Sequence, residues 1–206
     1  MARWEPDARG RLQQAAMELF RERGFAEVTV VEIAERAGLT KRTFFNHFAD
    51  KREVFFANAQ MFEQSVLAHL AEADPALDTI GAAMAALTRA GLELAPYYEF
   101  AKARLAVLAV TPELRERDLI KSARLAAAMT ATLVGRGAEE RAAAFAAQSA
   151  LAVFTVAAAD WIATPSADFP ALMQQGLAQL RAALGWPAVD GSGVRRMVIL
   201  PLDDKS

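Results

Sequence analysis

Residues 34–56 read AERAGLTKRTFFNHFADKREVFF, and the fold turns on them. Gly38 ends one helical pattern, Thr40 supplies a side-chain oxygen able to cap the next, and Phe44 and Phe48 lie four residues apart on one face. Lys41, Arg42, Thr43, Phe45, Asn46 and His47 fall outside that face. The stretch predicts a short helix, aromatic inside and cationic outside, entered through a glycine turn. It also poses a question: the chain has a formal charge of −2, yet it gathers five cations against one acid between Arg36 and Arg52.

The helical pattern continues in both directions. Upstream, Leu12, Ala15, Ala16, Leu19 and Phe20 recur at helical spacing, closed by Arg21, Arg23 and a Gly24 suited to the residue after a helix. Thr29, with Glu32 three residues on, is a capping box that opens a two-turn helix with Ile33, Ala34 and Ala37 inside. Asp50 and Glu53 repeat that arrangement and predict a long fourth helix through about residue 73. Further helices are expected over about 76–94, 97–110, 113–134, 138–163 and 168–184, with breaks at Pro96, Thr111-Pro112, Gly135 to Gly137 and Thr164-Pro165. A strand is plausible only in the tail WPAVDGSGVRRMVILPLDDKS. The reading is an all-α chain with an N-terminal three-helix domain over residues 1–52, a larger helical domain over 53–186 and a tail over 187–206.

Composition removes several function classes. With no cysteine and only two histidines, His47 and His69, disulfides and thiolate metal sites are excluded, and neither a metal nor a cofactor is expected. His69 and Glu72 share a helix face but lack a second such pair, and the chain carries no glycine-rich phosphate loop or Ser/His/Asp set, so it does not read as an enzyme. The N-terminus lacks the apolar core of a secretory signal, and no uncharged apolar run of membrane-spanning length stands out, which predicts a soluble, cytoplasmic protein. Residues 1–52 hold ten Lys and Arg against eight Asp and Glu, whereas residues 53–206 hold thirteen against seventeen, so the positive charge is local.

Two short helices joined through a glycine turn, the second presenting polar side chains, form the pattern of a helix-turn-helix, whose second helix enters the DNA major groove. Lys41 and Arg42 can donate to guanine, Asn46 to adenine, and Thr40, Thr43 and Phe45 can touch a thymine methyl. The stretches AAMELFRERGF and VTVVEIAERAGLTKRTFFNHFADKREVF resemble, in order, the N-terminal DNA-binding domain of the TetR family of bacterial transcriptional regulators. That resemblance implies that the third helix reads the groove, that Thr29, Val30, Val31 and His47 meet the DNA backbone, and that Lys51 binds phosphate. The last role has its own physical basis, since a cation beside free helix N–H groups makes an anion site. The family usually has Tyr where this chain has Phe45, which lacks a hydroxyl for phosphate and is left with apolar contact.

The resemblance further implies that the larger domain dimerises and binds a small molecule. Residues 142–163, AAAFAAQSALAVFTVAAADWIA, are apolar almost all round and call for burial by other helices or by a second subunit. With the helix bearing Leu172, Met173, Leu177 and Leu180 they are expected to form a four-helix dimer interface. Tyr97, Tyr98, Phe100, Arg104, Met129, Phe154 and Trp161 are the candidate pocket residues, for an effector of apolar or aromatic character. An aromatic or Met on an apolar face is as readily plain core, and both readings stand at this point. The function expected is a homodimeric repressor that binds a palindromic operator in double-stranded DNA and is released by a small molecule. The alternatives are a regulator that needs no ligand and a helical binding module without DNA.

Overall fold

The first helix, α1 (Ala8–Arg23), buries the stripe read from its sequence: Leu12, Ala15, Ala16, Leu19 and Phe20 are each at most 3% exposed. It stops at Gly24, whose φ of 85° is open to glycine at little cost. In α2 (Val30–Arg36) the capping box is complete: the Glu32 N–H donates to Thr29 Oγ1 at 3.3 Å, and Glu32 Oε2 accepts from the Thr29 N–H at 2.8 Å. Gly38, at φ 66°, turns the chain while the Leu39 N–H closes back on the Ala34 carbonyl at 2.8 Å. Thr40 then caps α3 (Lys41–His47) by accepting from the Thr43 N–H at 3.1 Å. Phe44 and Phe48 bury α3 against α1 and α2.

The computed structural model describes residues 8–164 and 166–185, and among these the chain is all helix, without a strand. After α3 come α4 (Lys51–Phe55), α5 (Ala59–Ala71), α6 (Thr79–Leu92), a 3-10 turn at Ala95–Tyr97, α7 (Tyr98–Val110), α8 (Pro112–Gly135), α9 (Glu140–Ala163) and α10 (Phe169–Ala183). The strand expected in the tail lies outside the described residues.

The single long fourth helix expected from residue 50 to about 73 is instead two. Phe55, Phe56 and Ala57 are all buried, at 1%, 4% and 6% exposure. Successive residues on a regular helix point about 100° apart, so three in a row cannot share its inner stripe. The chain solves this with short-range bonds, Ala57 N–H to Val54 O at 3.3 Å and Ala59 N–H to Phe56 O at 3.0 Å, and Arg9 donates to the Ala57 carbonyl at 3.1 Å. Asp50 caps α4 as expected, accepting from the Glu53 N–H at 2.9 Å, but the Glu53 carboxylate turns to Arg117 of α8.

Two buried clusters result. The first joins α1–α4 to Ala103, Val107 and Leu108 of α7 and Leu114 of α8, and so extends past residue 52 through Ala57. The second is built by α5, α6, α8, α9 and α10 around Val66, Leu70, Leu87, Met129, Leu133 and Met173. Helix α9 has the length and composition of a membrane span, with mean hydropathy 1.7, contrary to the expectation that no such run exists. It packs against α6, α8 and α10, yet only 39% of its apolar window is buried within the chain.

Close approach of α6 to α9 and α10 depends on Gly91. A Cβ there would fall 2.4 Å from Phe169 Cε1 and 3.1 Å from Phe154 Cε2, both on stiff rings. Gly91→Ala is therefore expected to cost roughly 1–3 kcal/mol in urea unfolding. Gly10→Ala in α1, where nothing lies within 4 Å of the new Cβ, should instead gain about 0.5–1 kcal/mol.

Candidate nucleic-acid interface

The caps and the two inward phenylalanines leave α3 one free side. Thr40, Lys41, Arg42, Asn46 and His47 are exposed there, Thr43 is half-buried, and Phe45 is 49% exposed. Lys41 Nζ stands 5.9 Å from the Phe45 ring centroid, a cation–π contact that holds the cation over its own helix. Thr40 Oγ1 and Thr43 Oγ1 share a hydrogen bond at 2.9 Å. The α2 corner lies alongside, with Val31 39% exposed and Val30 half-buried. The Thr29 hydroxyl is occupied: it donates to Glu32 Oε2 at 2.8 Å while accepting from the Glu32 N–H.

Of the five cations between Arg36 and Arg52, three have partners inside the chain. Arg36 grips Glu22 with bonds of 3.0 and 2.8 Å, which holds the Glu22 carboxyl below its ordinary range, and Arg52 pairs with Asp50 at 3.3 Å. Lys41 and Arg42 make no ion pair among the described residues and face outward.

Lys51, expected to bind phosphate, is engaged within the chain in this structure. Its ammonium donates to the carbonyls of Phe25, Ala26 and Val28 at 2.7, 3.0 and 3.0 Å and lies 4.5 Å from the Phe25 ring. An ammonium has three protons, and all three are spent fastening the loop between α1 and α2. That loop delivers Thr29, so Lys51 shapes the α2 corner from behind.

The seven candidate pocket residues do not form one site. Tyr98, Phe154 and Trp161 meet in a chain of rings with Phe62 and Phe169, which sequence reading missed: Phe62–Phe154 at 5.3 Å, Phe154–Phe169 at 5.9 Å, Phe169–Trp161 at 5.7 Å and Trp161–Tyr98 at 5.2 Å. The Tyr98 hydroxyl donates to the Ile162 carbonyl at 2.5 Å. Met129 is wholly buried elsewhere in the second cluster, and Tyr97 is 59% exposed. Phe100 packs on the first cluster, and Arg104 is taken up by Asp118 and by the rings of Phe55 and Phe56. A recess of about 50 Å³ between α9 and α10 and an open groove of about 1070 Å³ between the α1–α2 loop and the α7–α8 corner are lined by none of the seven. His69 pairs with Glu93 at 2.7 Å, not with Glu72, and the described residues hold no cluster of three metal-ligating side chains.

Two outcomes follow for the corner. The Arg23 guanidinium at 2.6 Å, with the Thr29 bonds, lowers the Glu32 pKa from 4.5 to about 2. A depressed carboxylate stabilises the fold fully above its unfolded pKa, so this contribution is lost as pH falls from about 4.5 to about 2. Thermal melts over that window should show a steeper acid loss for wild type than for Glu32→Gln. Lys51→Met, which removes a charged donor group from two part-buried carbonyls and one exposed one, is expected to lower stability by roughly 1–3 kcal/mol in chemical denaturation. An unchanged midpoint would show that the three bonds add nothing.

Residues 12–57 match the family model described as bacterial regulatory proteins, tetR family, a family of regulators and not of enzymes. Over 84 residues the chain is 39% identical to the HTH-type transcriptional regulator TcmR of Streptomyces glaucescens, an alignment covering 41% of this chain and 37% of that protein. The match thus spans well under half of the relative's length. Two solved structures share the fold along nearly the whole chain. One is the complex with triclosan of SmeT, the repressor of the Stenotrophomonas maltophilia multidrug efflux pump SmeDEF, at 22% identity and TM-score 0.61, covering 95% of this chain and 98% of that one. The other is the Thermus thermophilus TetR-family transcriptional repressor FadR in complex with lauroyl-CoA, at 22% identity and TM-score 0.56, covering 92% and 100%. The N-terminal domain, over residues 12–57, is thus similar to that of the tetR family of bacterial regulatory proteins.

Proposed function

We propose that the protein is a cytoplasmic, homodimeric transcriptional repressor whose α3 reads a palindromic operator and whose second domain sets whether it can do so. The observation that carries this reading is the outward face of α3, where Lys41 and Arg42 stand beside Asn46 and His47 without acid partners among the described residues. Every other part of α3 is spent on holding it still. Thr40 to His47 contact bases and nearby phosphate, Phe45 adds apolar contact, and Thr29, Val30 and Val31 meet the backbone. Lys51 acts by fixing that corner, and any phosphate it meets is shared with its three carbonyls.

A second copy supplies the cover that α9 lacks. Phe145 is 68% exposed and Val156 56%, with Ala152 and Ala159 exposed between and beyond them on the same side. Such a face suits close packing across a twofold axis, with α10 beside it. We place the working boundary between reading head and second domain at the break after α4, since Val54 to Ala57 are buried with the head.

Release by an apolar effector is supported by analogy with the triclosan and lauroyl-CoA complexes of the two fold neighbours, and the aromatic chain from Phe62 to Tyr98 is the place in this chain that suits it. Control without an effector is the second reading. It is favoured by rings packed against one another and by a recess of about 50 Å³, against the roughly 300–1,000 Å³ of ordinary ligand pockets.

Selection of bound sequences from random DNA tests the first reading. It should enrich a palindrome with half-site centres roughly 34–36 Å apart. The Lys41→Ala, Arg42→Ala double variant should lose that enrichment, and in wild type the logarithm of affinity should fall steeply with the logarithm of salt. Enrichment of an asymmetric site, or a double variant that binds as tightly as wild type, would count against groove reading by α3 of a dimer.

A further inference from the structure

The head and the second domain are joined along the chain only through the break at residues 56–58, between α4 and α5. Helix α8 makes a different kind of link. It places Leu114 in the first buried cluster and Leu125, Ala126, Met129 and Leu133 in the second, so one unbroken helix of 24 residues touches both cores. The apolar contacts of the head with α7 and Leu114 are non-directional and resist separation more than rotation.

Directional contacts gather at one point. Phe56, which ends α4 and is 4% exposed, has Lys121 Nζ at 5.3 Å, the Arg104 guanidinium at 5.7 Å and the Arg117 guanidinium at 6.0 Å from its ring centroid. Arg104 is also 5.6 Å from the Phe55 ring. Three cations around one ring repel one another unless acids separate them. Asp118 on α8 takes Arg104 of α7, and Glu53 on α4 takes Arg117 of α8. Only the second of these pairs crosses from the head, and it joins positions 64 apart in the chain. Arg117 reaches further still. Burial raises the Asp50 pKa, but the bond from the Glu53 N–H, the charge and backbone N–H of Arg52 and, least, the charge of Arg117 together lower it below its ordinary value.

We infer that Arg117, with Arg104 and Lys121, is a positioning residue for DNA reading: the clasp it forms on Glu53 and Phe56 sets the angle of the head, and α8 carries movement of the second domain to it. This rests on the reading of α3 as the DNA-contacting helix. The long fourth helix expected from the sequence would have made a stiff lever of residues 50–73, whereas the break at 56–58 passes that task to α8. The side chains of Glu53 and Arg117 are 39% and 36% exposed, so the pair is screened by salt and weak enough to open.

The chain has no cysteine, which makes paired spin labels at Glu35→Cys in α2 and Ala131→Cys in α8 unambiguous. With labelled chains diluted into unlabelled ones, pulsed dipolar spectroscopy reads the distance from head to α8 within one protomer. Arg117→Glu and Glu53→Arg should each broaden and shift that distance, and the double reversal should restore it. Arg117→Gln, milder for folding, should broaden it alike, with circular dichroism confirming retained helix. Affinity for the selected DNA should drop about tenfold in each single reversal and recover in the double. A distance distribution unmoved by the single reversals, or one left broad by the double, would overturn the clasp. Loss of DNA binding by wild type, with the distances behaving as described, would instead remove the reading of α3 and leave the clasp standing.

Discussion

Everything in the head depends on the burial of Phe44. A seven-residue helix cannot pay the entropy of its own nucleation in water, and α3 is held only by what it is pressed against. Phe44 is wholly buried, a contribution of roughly 2–3 kcal/mol, and lies 5.7 Å from Phe48 and 5.5 Å from Phe45 by ring centroid. The first of these neighbours points inward and the second outward. One buried ring therefore ties the outer face of α3 to the core, and the exposed cations inherit its rigidity.

Much of this was legible in the sequence because it is local. Thr29 and Asp50 cap helices in the structure as their spacing to Glu32 and Glu53 predicted, Thr40 caps α3 as its side-chain type predicted, and Gly24 and Gly38 take positive φ where the helical pattern stops. The later helix boundaries fall within a few residues of those read from Pro96, Pro112 and Gly135 to Gly137. The outward set on α3 followed from the same periodicity.

What could not be read was tertiary. Nothing near Lys51 announces that the loop of Phe25 to Val28 will bring three carbonyls to its ammonium. Nor does residue 53 announce a partner at 117. The break in the fourth helix was hidden for a related reason: Phe55-Phe56-Ala57 carries no Pro or Gly, and only the presence of α7 and α8 on the other side makes all three residues turn inward. Aromatic residues spread from Phe62 to Phe169 met because α5, α7, α9 and α10 converge, with Gly91 making room. Residue type and helical face were visible from the sequence, but the choice among possible neighbours was not.

The half-covered α9 has a consequence for abundance. Where a second copy is the cover, the free protomer exposes an apolar face as long as a bilayer is thick, so folding and pairing are one mass-action equilibrium. Occupancy of a target that requires two chains then grows with the square of their concentration at the dilute end. Such a protein senses its own dosage, and scarcity silences it before any signal molecule is involved.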